Sequence, residues 1–194
     1  MKRDIILAGV GGQGILSIAT TIGMAALDSG LHLKQAEVHG MSQRGGDVSS
    51  NLRISDREIA SDLIPFGQAD LIISVEPMES LRYLPLLSDS GWLITNTKPY
   101  INISNYPSIE TLMTEIESLQ KHIALNAEDI AKDLGSARSA NMVILGAATP
   151  FLEISPEKIR DAIREIFARK GAEVVKLNLD AFEAGYRFAL EHMN

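Results

Sequence analysis

The 194-residue chain contains no cysteine. Disulfides, thiol nucleophiles and any cysteine-ligated iron–sulfur cluster are therefore excluded from this polypeptide. An excess of basic residues is missing too: the formal net charge is −7 and no Lys/Arg cluster occurs, so no nucleic-acid face is expected. No apolar run approaches the roughly 18 residues a membrane span needs. The opening Met1-Lys2-Arg3-Asp4 leads into an apolar stretch too short and too glycine-broken for a signal peptide. A cytoplasmic location is the expectation. The four histidines, His32, His39, His122 and His192, have no metal-ligand spacing, and no zinc site is expected.

What remains is an ordinary globular composition, 45% apolar and 22% charged, long enough for one full core over residues 1–194. Asp4–Ala8 and Leu71–Val75 read as buried parallel strands, short and wholly apolar. Leu31–Val38, Trp92–Thr95 and His122–Leu125 read as further strands. Val48, Ser50, Leu52 and Ile54 alternate with Ser49, Asn51 and Arg53, the period of a half-exposed strand that can run antiparallel to the rest. Helices are expected over Gly12–Leu27, Met78–Leu87, Ser108–Leu119, Ala127–Leu134 and Ser139–Phe151, the last apolar nearly all round and so central. Ser155-Pro156-Glu157 starts another, and Leu179, Phe182, Tyr186, Ala189 and Met193 mark a final one. Glu37–Asp47 and the Asn/Pro-rich stretch Asn96–Pro107 read as loops, the second with room for a short strand at Tyr100–Ile103 or for a subdomain seam. The alternation predicts a Rossmann-like, three-layer α/β/α fold with a largely parallel sheet and some antiparallel strand.

Two glycine clusters carry the chemistry. Gly9-Val10-Gly11-Gly12-Gln13-Gly14 follows the first strand and opens the first helix. A helix N-terminus reached through glycines suits a phosphate or carboxylate, and the spacing fits G-x-G-x-x-G. Ile15-Leu16 stands where a P-loop needs Lys-Ser/Thr, which argues against a Walker-type nucleotide triphosphatase. Glu37 can supply the ribose-binding acid of an NAD site, and a purely packing role for the glycines stays open. In the second cluster, Arg44-Gly45-Gly46, a guanidinium and backbone N–H groups can converge on an anion. For Arg44 a salt bridge to Asp47 is the plainer alternative, and for His39 a loop hydrogen bond. No Ser/His/Asp set or carboxylate pair stands out, so no catalytic residues are assigned.

The two clusters at this spacing, Glu37-Val38-His39-Gly40-Met41-Ser42-Gln43-Arg44-Gly45-Gly46 included, resemble the gamma-type domain of the 2-oxoacid:ferredoxin oxidoreductases, in particular the small (beta) subunit of the indolepyruvate type. Val48, Arg53, Asn141-Met142-Val143-Ile144-Leu145-Gly146-Ala147, and Asn178 with Ala181-Phe182 and Gly185 extend the likeness along nearly the whole chain. The resemblance implies oxidative decarboxylation of an aryl 2-oxo acid to acyl-CoA, with reduction of ferredoxin. It also implies thiamine diphosphate, Mg and 4Fe-4S clusters in a large alpha subunit, with this chain inactive alone. Gly46-Asp47-Val48 lacks the Gly-Asp-Gly of a thiamine site, in keeping with that division of labour. Gly11, Gly12, Gln13, Gly14, Arg44, Gly45 and Gly46 are the expected cofactor-binding residues, bordering the active-site entry to contact the phosphates of coenzyme A or close over substrate, or else they form part of the subunit interface. Two other readings remain: a stand-alone NAD(P)-binding oxidoreductase domain and a non-catalytic Rossmann-like scaffold.

Overall fold

A computed structural model describes residues 1–40 and 45–193. Its centre is a six-stranded sheet in the order β2-β3-β1-β4-β5-β6. The strands are β1 (Lys2–Val10), β2 (His32–His39), β3 (Asp47–Ser55), β4 (Ala69–Ser74), β5 (Leu87–Asn96) and β6 (His122–Leu125). β1, β4, β5 and β6 pair in parallel, with Ile5 beside Leu71, Ile72 beside Leu93 and Ile94 beside Ile123. β3 is antiparallel to both β1 and β2. The sheet is thus largely parallel, with one reversed strand, as the alternation suggested.

Among the described residues seven α-helices flank it: α1 (Ile15–Leu27), α2 (Pro77–Arg82), α3 (Ile109–Glu117), α4 (Ala127–Asp133), α5 (Ala140–Ala148), α6 (Pro156–Phe167) and α7 (Ala172–His192). Successive strand residues point to opposite faces, which divides the core in two. Ile5, Leu7, Leu71, Ile73 and Ile94 pack with α1 and α4–α7, whereas Ile6, Ile72 and Leu93 pack with α3 and the end of α2. Ser108 and Ser155 cap α3 and α6 through their side chains, and Pro156 occupies the first turn of α6, as their sequence signals require.

α5 is buried almost end to end, and α7 packs across it. Glycine makes the crossing possible. A Cβ on Gly146 would lie 2.0 Å from the Phe182 carbonyl oxygen, and one on Gly185 would lie 1.9 Å from that of Val143. The two backbones touch where any side chain would separate them.

Several boundaries differ from the sequence reading. α1 begins at Ile15 rather than Gly12, because Gly14 is its N-cap, with φ 84°. Glu37–His39 and Asp47 belong to strands, not to a loop. β3 is not half-exposed: six of its nine residues are buried, Ser50 completely. Its polar side is covered by the segment after it, where Arg53 donates to the carbonyls of Ser61 and Leu63 and Asn51 accepts from the Ile64 N–H. The helix expected over Met78–Leu87 stops at Arg82 and is followed by a 3₁₀ turn at Leu84–Leu86. No strand forms at Tyr100–Ile103. That stretch is a crossover within one sheet, since β5 before it and β6 after it pair directly.

Candidate functional site

The carboxyl ends of β1, β4, β5 and β6 share one edge of the sheet. After β1 the chain passes to α1 on one face, and after β4 to α2 on the other. A crevice at such a reversal is where open α/β sheets bind ligands. Here the rim is knitted by polar side chains. Gln13 accepts from the Val10 N–H at 2.8 Å and donates to the Val75 carbonyl at 3.3 Å. Asn96 donates to the carbonyls of Val75 (3.2 Å) and Lys98 (3.3 Å) and accepts from the Ala127 N–H (3.1 Å).

The glycine loop is held open on one side only. Gly11 donates its N–H to the Gly46 carbonyl at 2.9 Å, so the fold brings the two glycine clusters into contact. Gly12, at φ 99°, has no atom of the described residues within 4 Å of where a Cβ would be. At Gly14 a Cβ would collide with the Asn141 side chain, whose amide donates to the Gly14 carbonyl at 3.2 Å. Among the described residues α1 has no side-chain cap, and its first turn holds no acid. Its partial positive end therefore faces the crevice uncompensated from within the helix.

Two adjoining cavities form the crevice. The narrower, about 150 Å³, reaches over Val75, Asn96, Ala127 and Glu128. The wider, about 410 Å³, runs towards Lys170, Leu177 and Asn178. Gly12, Gln13, Arg138 and Asn141 line both. Arg138 and Lys170 are exposed, and neither is in an ion pair among the described residues. One carboxylate oxygen of Glu128, Oε2, is buried without a hydrogen-bond partner.

A strap, residues 97–107, closes the far side. Its anchor is the fully buried Glu76. One carboxylate oxygen accepts from the Glu79 N–H at 2.8 Å and so caps α2, while the other accepts from the Tyr100 N–H at 3.2 Å and from the Tyr106 hydroxyl. Burial, and then the bond to Glu76, push the Tyr106 phenol well above its ordinary range and keep it a donor. From the strap, Asn102 donates to the Gly45 carbonyl. A chain of hydrogen bonds thus runs from β4 through the strap to the second glycine cluster and on to Gly11.

Of the expected site residues, Gly11, Gly12, Gln13, Gly14, Gly45 and Gly46 come together on this rim. Arg44 lies outside the described residues, as does any Arg44–Asp47 pair. His39 Nε2 sits 2.6 Å from Glu37 Oε1. Glu37 is poorly placed for a ribose near Gly14, because β3 intervenes between β2 and β1. Asn141 and Asn178, singled out only as part of the resemblance, both line the wide cavity. Glu76, Asn96, Glu128, Arg138 and Lys170 gave no sequence signal, since each is an isolated residue brought in by a different element. Among the described residues no cluster of three or more His, Asp or Glu is arranged to hold a metal, and no helix is long and apolar enough to cross a membrane.

Comparison with known proteins agrees with this geometry. Residues 4–188 match the family "Pyruvate ferredoxin/flavodoxin oxidoreductase". Indolepyruvate oxidoreductase subunit IorB of Pyrococcus horikoshii is 37% identical, over 100% of this chain and 98% of that protein. The keto/oxoacid ferredoxin oxidoreductase gamma subunit of Geobacter sulfurreducens superposes with a TM-score of 0.72 at 27% identity, covering 97% of this chain and 99% of that one. In the 2-oxoglutarate:ferredoxin oxidoreductase of Magnetococcus marinus the same fold recurs (TM-score 0.78, 23% identity, 98% of this chain) but makes up only 31% of a longer chain. That structure carries 2-oxoglutarate, coenzyme A and succinyl-CoA. The chain belongs to the pyruvate ferredoxin/flavodoxin oxidoreductase family, as a small subunit of the 2-oxoacid oxidoreductase type.

Proposed function

We propose that the chain serves an indolepyruvate-type 2-oxoacid:ferredoxin oxidoreductase in the cytoplasm, and that its crevice binds part of coenzyme A. The substrate class, an aryl 2-oxo acid, follows from the likeness to IorB. Thiamine diphosphate with magnesium and 4Fe-4S clusters would supply the decarboxylation and the path of electrons to ferredoxin. The residues here do not fit either group. There is no cysteine, and Asp47 is a strand residue whose carbonyl is bonded to the Gly40 N–H. Both groups are accordingly assigned to a large alpha subunit.

This chain's share is binding and orientation. The single observation that carries the reading is the crevice itself: among the described residues an α1 N-terminus without a side-chain cap, the space beside Gly12 and an Arg138 without an ion pair converge where a phosphoanhydride would sit. Gly14, Gly45 and Gly46 border the same place. In the assembled complex, Arg138→Ala should raise the KM for coenzyme A roughly ten-fold, the worth of a charge-assisted hydrogen bond. The KM for the 2-oxo acid should not move. Arg44→Ala should act in the same sense. Unchanged KM values for coenzyme A in both variants would overturn the reading.

A second reading has its own observation. Tyr100, Ile101 and Ile103 on the strap are 46%, 72% and 43% exposed, and Tyr100 lies beside Gly45. Apolar exposure of this kind suits a contact with the alpha subunit. In that case Ile101→Asp would lower the yield of complex on gel filtration, and the Arg138 and Arg44 variants would leave coenzyme A kinetics intact.

A further inference from the structure

We infer that Glu76, which is hydrogen-bonded to neither glycine cluster, is a positioning residue for both. It closes the strap into a turn, the turn holds Gly45, and Gly46 holds Gly11. The consequence for the reaction rests on the coenzyme A reading above; the positioning itself does not.

Glu76 follows β4 and is 0% exposed. Its backbone is clamped by the buried Ser74, whose hydroxyl donates to the Glu76 carbonyl at 2.6 Å and accepts from the Glu76 N–H at 3.3 Å. Every side-chain partner is a donor. Oε2 accepts from the Glu79 N–H, whereas Oε1 accepts both from the Tyr100 N–H and from the Tyr106 hydroxyl. One oxygen atom thus joins the two ends of a turn. No cation is ion-paired with Glu76 among the described residues, and a buried carboxylate without one is costly. Capping α2 does not require it, because a serine or an asparagine caps a helix as well, as Ser108, Asn126 and Ser155 do in this chain. What the glutamate adds is reach and a second oxygen, and the strap takes both.

The strap depends on that oxygen. Residues 101–105 are all exposed, so apolar burial does not hold the turn. Pro99 and Pro107 have no N–H to donate. The bonds of Thr97 and Lys98, to the Leu125 carbonyl and from the Asn96 amide, fix only the start of the strap. From the closed turn Asn102 donates to the Gly45 carbonyl, and the Gly46 carbonyl accepts from the Gly11 N–H at 2.9 Å. Gly45, at φ 78°, belongs to a residue type with a wide choice of backbone states. A contact from outside selects one of them.

The test is amide hydrogen exchange, read by mass spectrometry on the purified complex. Tyr106→Phe keeps the ring and the α2 cap but removes one end of the closure. Asn102→Ala changes an exposed residue and parts the strap from Gly45. Each should speed exchange in residues 9–14 roughly ten-fold relative to the amides of α5, which report global opening. The double variant should exchange there no faster than the faster single one, because both act along one path. Wild-type exchange at residues 9–14 in both single variants, or effects that multiply in the double one, overturns the positioning and leaves Glu76 as the cap of α2. In the same complexes Tyr106→Phe should raise the KM for coenzyme A and leave kcat unchanged. Faster exchange with an unchanged KM upholds the positioning and overturns the coenzyme A reading instead.

Discussion

Glycine occupies two kinds of place in this molecule, and the two are opposites. At the α5–α7 crossing, Gly146 and Gly185 remove side chains so that two backbones can touch, and nothing else fits. At the carboxyl rim, Gly12 removes a side chain where no atom of the described residues would meet one, with a backbone at φ 99°. The first kind fills volume with protein. The second keeps volume free of it, beside an uncapped helix end. The same residue type therefore marks both the most constrained contact of the core and the most open part of the site.

That contrast can be broken most forcefully at the crossing. Gly146→Ala or Gly185→Ala sets a methyl against a carbonyl oxygen, and overpacking of backbone on backbone should cost roughly 3 kcal/mol or more. Insoluble protein, or a collapse of the urea midpoint, is the expected result. A variant of near wild-type stability would show that the helices can part. Next in size is Gly12→Ala. The left-handed backbone should cost about 1–2 kcal/mol, with no clash, so the protein should fold. Its affinity for coenzyme A should drop further than its stability, as paired calorimetry and urea melts would reveal. If Gly12→Ala unfolds the chain like Gly185→Ala, the distinction between the two glycine sites is lost.

Tyr106→Phe sharpens the comparison from the rim side. Losing one donor to Glu76, whose other partners remain, should cost about 1 kcal/mol. The pH dependence has a definite sign. The folded phenol ionises above its ordinary value of 10, so the unfolded chain releases that proton first. Stability from this group is complete below pH 10 and is lost as the pH rises beyond it. Wild type should therefore lose melting temperature faster than Tyr106→Phe in that alkaline range. Smallest of all should be Asp56→Asn. The amino terminus of Met1 holds this exposed carboxyl below its usual range. Any stabilisation is present above the ordinary carboxylate pKa and fades as the pH falls. Water screens the pair, and the melting curves at neutral pH should superimpose.

How much was legible in the sequence depends on whether a signal was periodic. β4 and β6, α3 and α6 were readable because apolar spacing and serine caps are local. β3 shows where this fails. Its alternation gave the right period and even the antiparallel sense, but alternation cannot tell a polar face in water from one covered by a following segment, as Asn51 and Arg53 are by residues 61–64. The glycine loop was legible because glycine is conspicuous. Its counterparts were not: Arg138 follows a turn, Glu128 sits one residue into α4, and Lys170 ends a helix. No local rule joins residues that meet only after the sheet has formed.

The Val75 carbonyl receives two donors, Gln13 from the glycine loop and Asn96 from the end of β5. Asn96 in turn holds the start of α4 through Ala127. Mechanically, this makes one oxygen atom the pivot of three strand ends. A push on the loop is shared with the strap and with the helix that carries Glu128, which ties the narrow end of the crevice to the glycine loop.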